Sequence, residues 1–140
     1  MDDKIIDDNI KKKIFLGEYL KYVQLEEMIL QRIQALRLDK SCPSVTNDGM
    51  PHGNAHSDLS NYAASVDEEI AKLKNIRDKR DRARRDILDR VKKLENKDEQ
   101  ILLRMVYIQE IAVDDAAVML GVCRRKGYEI QNSAIKNLTI

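Results

Sequence analysis

Both prolines of this chain, Pro43 and Pro51, fall within one short segment, residues 40–57. Inside a helix a proline removes a backbone hydrogen bond and clashes with the preceding turn. Their confinement to one place leaves two long stretches in which a helix can run unbroken. Residues 9–39 carry Ile10, Ile14, Tyr19, Leu20, Val23, Met28, Ile33 and Leu36 at steps of one to five residues. That spacing predicts one long amphipathic helix. Residues 58–96 carry Tyr62, Val66, Ile70, Leu73, Ile76, Ala83, Ile87, Val91 and Leu94, close to a heptad pattern, with Arg80 at a seam position. Ser57 and Asp58 are expected to cap this second helix. Between the two, Asn47, Asp48, Gly49, Gly53 and Asn54 join the prolines as turn formers, which predicts a loop at 40–57.

Composition agrees with long helices. Aromatic residues make up 4% of the 140-residue chain and charged residues 35%, a poor mixture for a sheet. The available core is Leu, Ile, Val, Met and Ala, and it will be thin. Association with a second copy, as a homodimer or higher oligomer, is therefore expected to bury more apolar surface. The net charge of +1 hides an asymmetry: residues 72–97 hold twelve basic side chains against five acidic ones, whereas residues 41–71 hold five acids and no Lys or Arg. Such local stripes govern partner choice more than the sum does.

The C-terminal third carries the functional signal. A helix is expected at 98–109, a short one at 113–120 and a last one at 124–138, with Gly121 and Val122 between the final two. The last helix opens on Arg124, Arg125 and Lys126. Positive charge at a helix start opposes the helix dipole, so such a cluster suggests an anionic partner. A helix, a glycine turn and a second helix with a basic tip is the layout of a helix-turn-helix, which offers the start of its second helix to the DNA major groove. Arg124, Arg125, Lys126 and Tyr128 are the expected contact residues for double-stranded DNA, with Gln131 and Asn132 one to two turns behind. Arginine suits guanine O6 and N7, and a good bidentate pair discriminates by about 1–3 kcal/mol.

Other chemistry is weakly represented. His52 and His56, with Cys42 ten residues before His52, lack an obvious fourth zinc ligand and lie in a Gly/Pro segment, so no metal or other cofactor is expected. No phosphate loop or nucleophile elbow is present, and a non-enzymatic role is expected. The run from Arg77 to Asp86 interleaves six basic with three acidic side chains, which favours i,i+3 and i,i+4 pairing on a solvated face. No stretch approaches the roughly 18 apolar residues of a membrane span, the acidic start precedes no apolar leader segment, and two cysteines make no disulfide framework. A soluble, intracellular chain is expected.

Two segments together carry a resemblance. The stretch from Leu102 to Tyr107, then Leu120, Gly121, Val122 and Cys123, the arginines after them, and Ala134, Ile135 and Leu138 resemble region four of bacterial sigma factors. Leu36 and Arg37, followed by Met50, Pro51, Gly53 and Asp58, resemble a phage and prophage family of small sigma-region-four-like proteins. The resemblance implies an all-α fold: two long helices forming an antiparallel hairpin or coiled coil over residues 1–97, then a helix-turn-helix over 98–140. It implies a phage-type transcriptional regulator in the bacterial cytoplasm, with duplex DNA and RNA polymerase as partners. The rival reading is a structural or adaptor protein working through its long helices. The chain departs from the family pattern at Glu110 (a turn glycine), Ala112 and Cys123 (capping Ser or Thr), Glu129 (an acid on a phosphate-facing helix) and Gly127. Gly127 stands where valine is usual and is expected to forfeit an apolar contact to the core.

Overall fold

In a computed structural model the backbone is described for residues 2–41 and 55–140, and the side chains for 3–38 and 60–140. Five α-helices and no strand occur among the described residues: α1 (Asp2–Ser41), α2 (Ala55–Lys92), α3 (Lys97–Tyr107), α4 (Val113–Leu120) and α5 (Arg124–Asn137). The all-α expectation holds. Helix α1 starts seven residues before the apolar periodicity does, because Asp2, Asp3, Asp7 and Asp8 suit a helix N-terminus. Helix α2 is already helical at Ala55, so Ser57 and Asp58 lie inside its first turn rather than ahead of it. The side chains of the Cys42, His52 and His56 group lie outside the described residues.

Chain contacts divide the molecule into two compact units, Gln24–Asp78 and Met1–Val23 with Lys79–Ile140. In the first unit, Ile33 and Leu73 are buried, and so are two carboxylates, Glu26 and Glu69. Arg77 Nε donates to Glu26 Oε1 at 2.9 Å, and Arg32 Nη1 to Glu69 Oε1 at 3.4 Å. Lys72 Nζ also reaches Glu69 Oε1, at 3.3 Å. Partner numbers fall along α2 as they rise along α1, so these parts of the two helices run antiparallel.

The second unit has two apolar clusters that share α3 and α5. One holds Leu16 of α1, Ile87 and Val91 of α2, Leu94, Leu103 of α3, and Ala134, Ile135 and Leu138 at the end of α5. The other holds Leu102 and Met105 of α3, Ala116 of α4 and Ile130 of α5, with Val106, Ile111, Leu120 and Val122 at its edge. Neighbours Leu102 and Leu103 thus point to opposite clusters, each fully buried. Lys12 Nζ donates to the Lys136 carbonyl at 3.0 Å, joining α1 to the last turn of α5.

The apolar pattern on α1 requires a correction. Ile10 and Ile14 are exposed, as is Met28, while Leu16 is the fully buried residue. The inward positions run Tyr19, Glu26, Ile33 at intervals of seven, and the polar Glu26 conceals that repeat from a count of apolar residues alone.

Gly127 also reverses an expectation. It is buried, and a Cβ built there would lie 2.7 Å from the Cβ of Ala117 on α4 and 3.7 Å from the Val113 carbonyl oxygen. No valine fits. The missing side chain is what lets the two helices approach, so it creates the packing it was expected to weaken. Replacing Gly127 with Val should lower stability by roughly 1–3 kcal/mol through overpacking. Adding Ala117→Gly should restore part of that loss, since it removes the obstructing methyl. Urea unfolding of the single and double variants checks both signs; equal stability of Gly127→Val and wild type would refute the packing account.

Candidate nucleic-acid interface

Helix α3 starts at Asn96, whose side chain accepts from the Asp98 backbone N–H at 2.9 Å, and acids Asp98 and Glu99 occupy its first turn. Both features suit the positive end of a helix. Glu99 then turns inward and is buried. It accepts from Ser133 Oγ at 2.7 Å and from Asn137 Nδ2 at 3.4 Å. This carboxylate ties the start of α3 to the last turns of α5, a role that its surface-like sequence context did not announce.

Glu110 supplies the reversal from α3 to α4 with φ +58°, in the left-handed region where a glycine is usual. Helix α4 has only eight residues and starts at Ala112, which gives no side-chain cap. It ends on Gly121 at φ 73°. The Gly121 N–H donates to the Val118 carbonyl at 3.0 Å and the Val122 N–H to the Ala117 carbonyl at 2.9 Å. This is a Schellman closure, and it needs a left-handed residue that glycine adopts without strain. Cys123 follows as the uncapped N-terminus of α5.

With Gly127, Ile130 and Ala134 turned inward, the opposite face of α5 is outward by helical geometry. Arg125 is 91% exposed, Arg124 73% and Lys126 59%. Arg124 pairs with Asp114 at 3.2 Å and lies over the Tyr128 ring, 5.8 Å from its centroid. Arg125 and Lys126 both reach Glu129, at 3.7 and 3.9 Å. Tyr128 and Asn132 are exposed. Gln131 differs: it is half-buried, and its Nε2 donates to the Tyr107 hydroxyl at 3.4 Å. The expected contact residues therefore form one solvent-facing group of five, with Gln131 held against α3. Exposed ion pairs of this kind are worth at most about 1 kcal/mol, so a stronger anion can displace them.

The basic run on α2 is engaged differently. Arg77 is held by Glu26, Arg80 by Asp81 at 3.2 Å, and Arg85 Nε reaches the Asp81 carbonyl at 3.4 Å. No group of three or more potential metal ligands occurs among the described residues. No described helix is long and apolar enough to cross a membrane.

A family model described as "Protein of unknown function (DUF1492)" matches residues 58–139. No curated protein and no solved structure matches the chain.

Two measurements follow from this geometry. Cys123→Ser supplies the missing cap of α5 and should raise stability by about 1 kcal/mol, read as a higher urea midpoint at unchanged slope. Burial raises the Tyr107 pKa above its ordinary value of 10.0, against the opposing effect of the Gln131 hydrogen bond. A folded pKa above the unfolded one means that the stability contribution of the neutral phenol is complete below about pH 10 and is lost as pH rises through the folded value. Tyr107→Phe should therefore show a shallower loss of stability above pH 10 than wild type; parallel pH profiles would show that the phenol does not contribute.

Proposed function

We propose that this chain, which belongs to the phage-associated DUF1492 family, is a DNA-binding transcriptional regulator. In this reading α3, α4 and α5 form a helix-turn-helix, and α5 enters the major groove. The observation that carries it is the first turn of α5: three basic side chains face solvent at an uncapped helix start, where the helix dipole opposes them. Within the fold these cations meet exposed partners, Asp114, Glu129 and the Tyr128 ring, each exposed ion pair being worth at most about 1 kcal/mol, and a phosphate or guanine edge would hold them more strongly. Arg124 and Arg125 are the proposed base readers, Lys126 and Tyr128 the proposed phosphate contacts, and Asn132 a further outward contact. Gln131 positions α5 through Tyr107 rather than reading a base. RNA polymerase remains the proposed protein partner, and the antiparallel long helices a proposed hairpin arm.

One observation favours the adaptor reading. Glu129 already binds two of the three cations on the outward face, and residues 98–140 hold six acidic against five basic side chains. The two readings separate by experiment. Fluorescence anisotropy with duplex DNA should show affinity falling with salt, the log–log slope being about −0.9 for each phosphate neutralised. The Arg124→Ala, Arg125→Ala double variant should abolish binding while keeping wild-type helicity by circular dichroism. Glu129→Gln should tighten binding, because it frees Arg125 and Lys126 for phosphate. If wild type, the double variant and Glu129→Gln all bind equally poorly at low salt, the regulator reading fails and the adaptor reading stands.

A further inference from the structure

The exposed isoleucines of α1 form a ridge. Ile6, Ile10 and Ile14 recur every four residues and are 56, 49 and 63% exposed. At about 100° per residue, Ile10 lies roughly 120° around the helix from Leu16 and half a turn from Tyr19, both of which face the core. The Lys12 bond to the Lys136 carbonyl fixes this rotation, so the ridge points away from its own fold. Three aligned β-branched side chains in water are a poor arrangement for a lone helix and a good one for a helical seam.

Charge around the ridge selects the occupant. Toward the N-terminus the flanks carry Asp3 and Asp7, with Lys4 between them; beyond Ile10 they carry Lys11 and Lys13. A second copy laid antiparallel, with Ile10 against Ile10, sets Ile6 beside Ile14 of the other copy. The same register sets Asp7 beside the lysines of the other copy, extending the Asp7–Lys11 pair at 3.8 Å that each chain already makes. A parallel copy would instead put acid on acid and lysine on lysine. We propose that the N-terminal part of α1 is a self-complementary dimer interface, pairing antiparallel with a second copy about Ile10. The two-fold axis presents two copies of α5 symmetrically, as a palindromic site requires. The interface stands or falls independently of whether α5 binds DNA.

Sedimentation equilibrium of the full chain tests it, with no DNA present. Wild type should run at twice its 16.2 kDa mass at tens of micromolar, and Ile10→Asp at 16.2 kDa. Because Ile10 is half exposed, the variant should keep wild-type helicity by circular dichroism. Cysteine cross-linking in a Cys42→Ser, Cys123→Ser background reads orientation and does not depend on Ile10→Asp folding. Under mild oxidation Ile10→Cys should link to itself. Ile6→Cys should link to Ile14→Cys in a mixture and to neither copy of itself. A monomeric wild type, a dimer indifferent to Ile10→Asp, or self-linking of Ile6→Cys would each overturn the proposal.

Discussion

The close approach of α4 to α5 at Ala117 and Gly127 governs the C-terminal part of the molecule. Helix α4, with eight residues, is too short to persist by its own hydrogen bonds. It persists because Ala116 and Ala117 are fully buried and Gly127 offers no Cβ to hold the helices apart. The Schellman closure at Gly121 aims the chain into that crossing, and the crossing fixes the rotation of α5. Once position 127 faces inward, positions 125, 129 and 132 must face outward. The outward position of Arg125 is thus tied to a missing methyl group on the other side of the helix.

The sequence made the helical skeleton plain where local signals and packing agree. Helix α4 spans the expected residues, and α5 differs by one, because Gly121 ends α4 through left-handed backbone geometry that glycine encodes. The outward positions of Arg124, Arg125, Lys126, Tyr128 and Asn132 follow from the same periodicity. Sequence and structure part where a polar residue is inward or an apolar one outward. Glu26, Glu69 and Glu99 are buried, and no apolar count finds them. Ile10 and Ile14 are exposed, and the same count placed them in the seam. Gly127 reads as a loss because a glycine weakens a helix, whereas its value depends on what lies opposite, and Ala117 is ten residues away. Gln131 was legible as outward-leaning only until Tyr107, 24 positions earlier, drew it back.

Buried carboxylates set the register of the two helices within Gln24–Asp78. A seam of aliphatic residues alone would tolerate slippage by one repeat there, since Val66 and Leu73 present similar surfaces. Glu26 opposite Arg77 and Glu69 opposite Arg32 admit one alignment. These pairs add little to stability, because desolvating a carboxylate offsets most of what its ion pair returns. Glu69 makes the cost visible, because its Oε2 is buried with no hydrogen-bond partner among the described residues while Oε1 receives both Arg32 and Lys72. Glu99 does the same work at α3 with neutral donors, Ser133 and Asn137.

The three glutamates that hold the fold differ in one respect from Glu129, which holds only exposed cations. A buried carboxylate that loses its partner strands a charge in a poor solvent, so its contacts are permanent. Glu129 and its partners stay solvated throughout, and exchanging one anion for another there costs little. On the proposed reading this makes the outward face of α5 a competitive site, where phosphate must displace a carboxylate before it binds. Such a site discriminates against weak, diffuse anions and favours a ligand that engages Arg124, Arg125 and Lys126 together. The dipole penalty at the start of α5 acts in the same direction, because it is relieved only when negative charge arrives at the first turn itself.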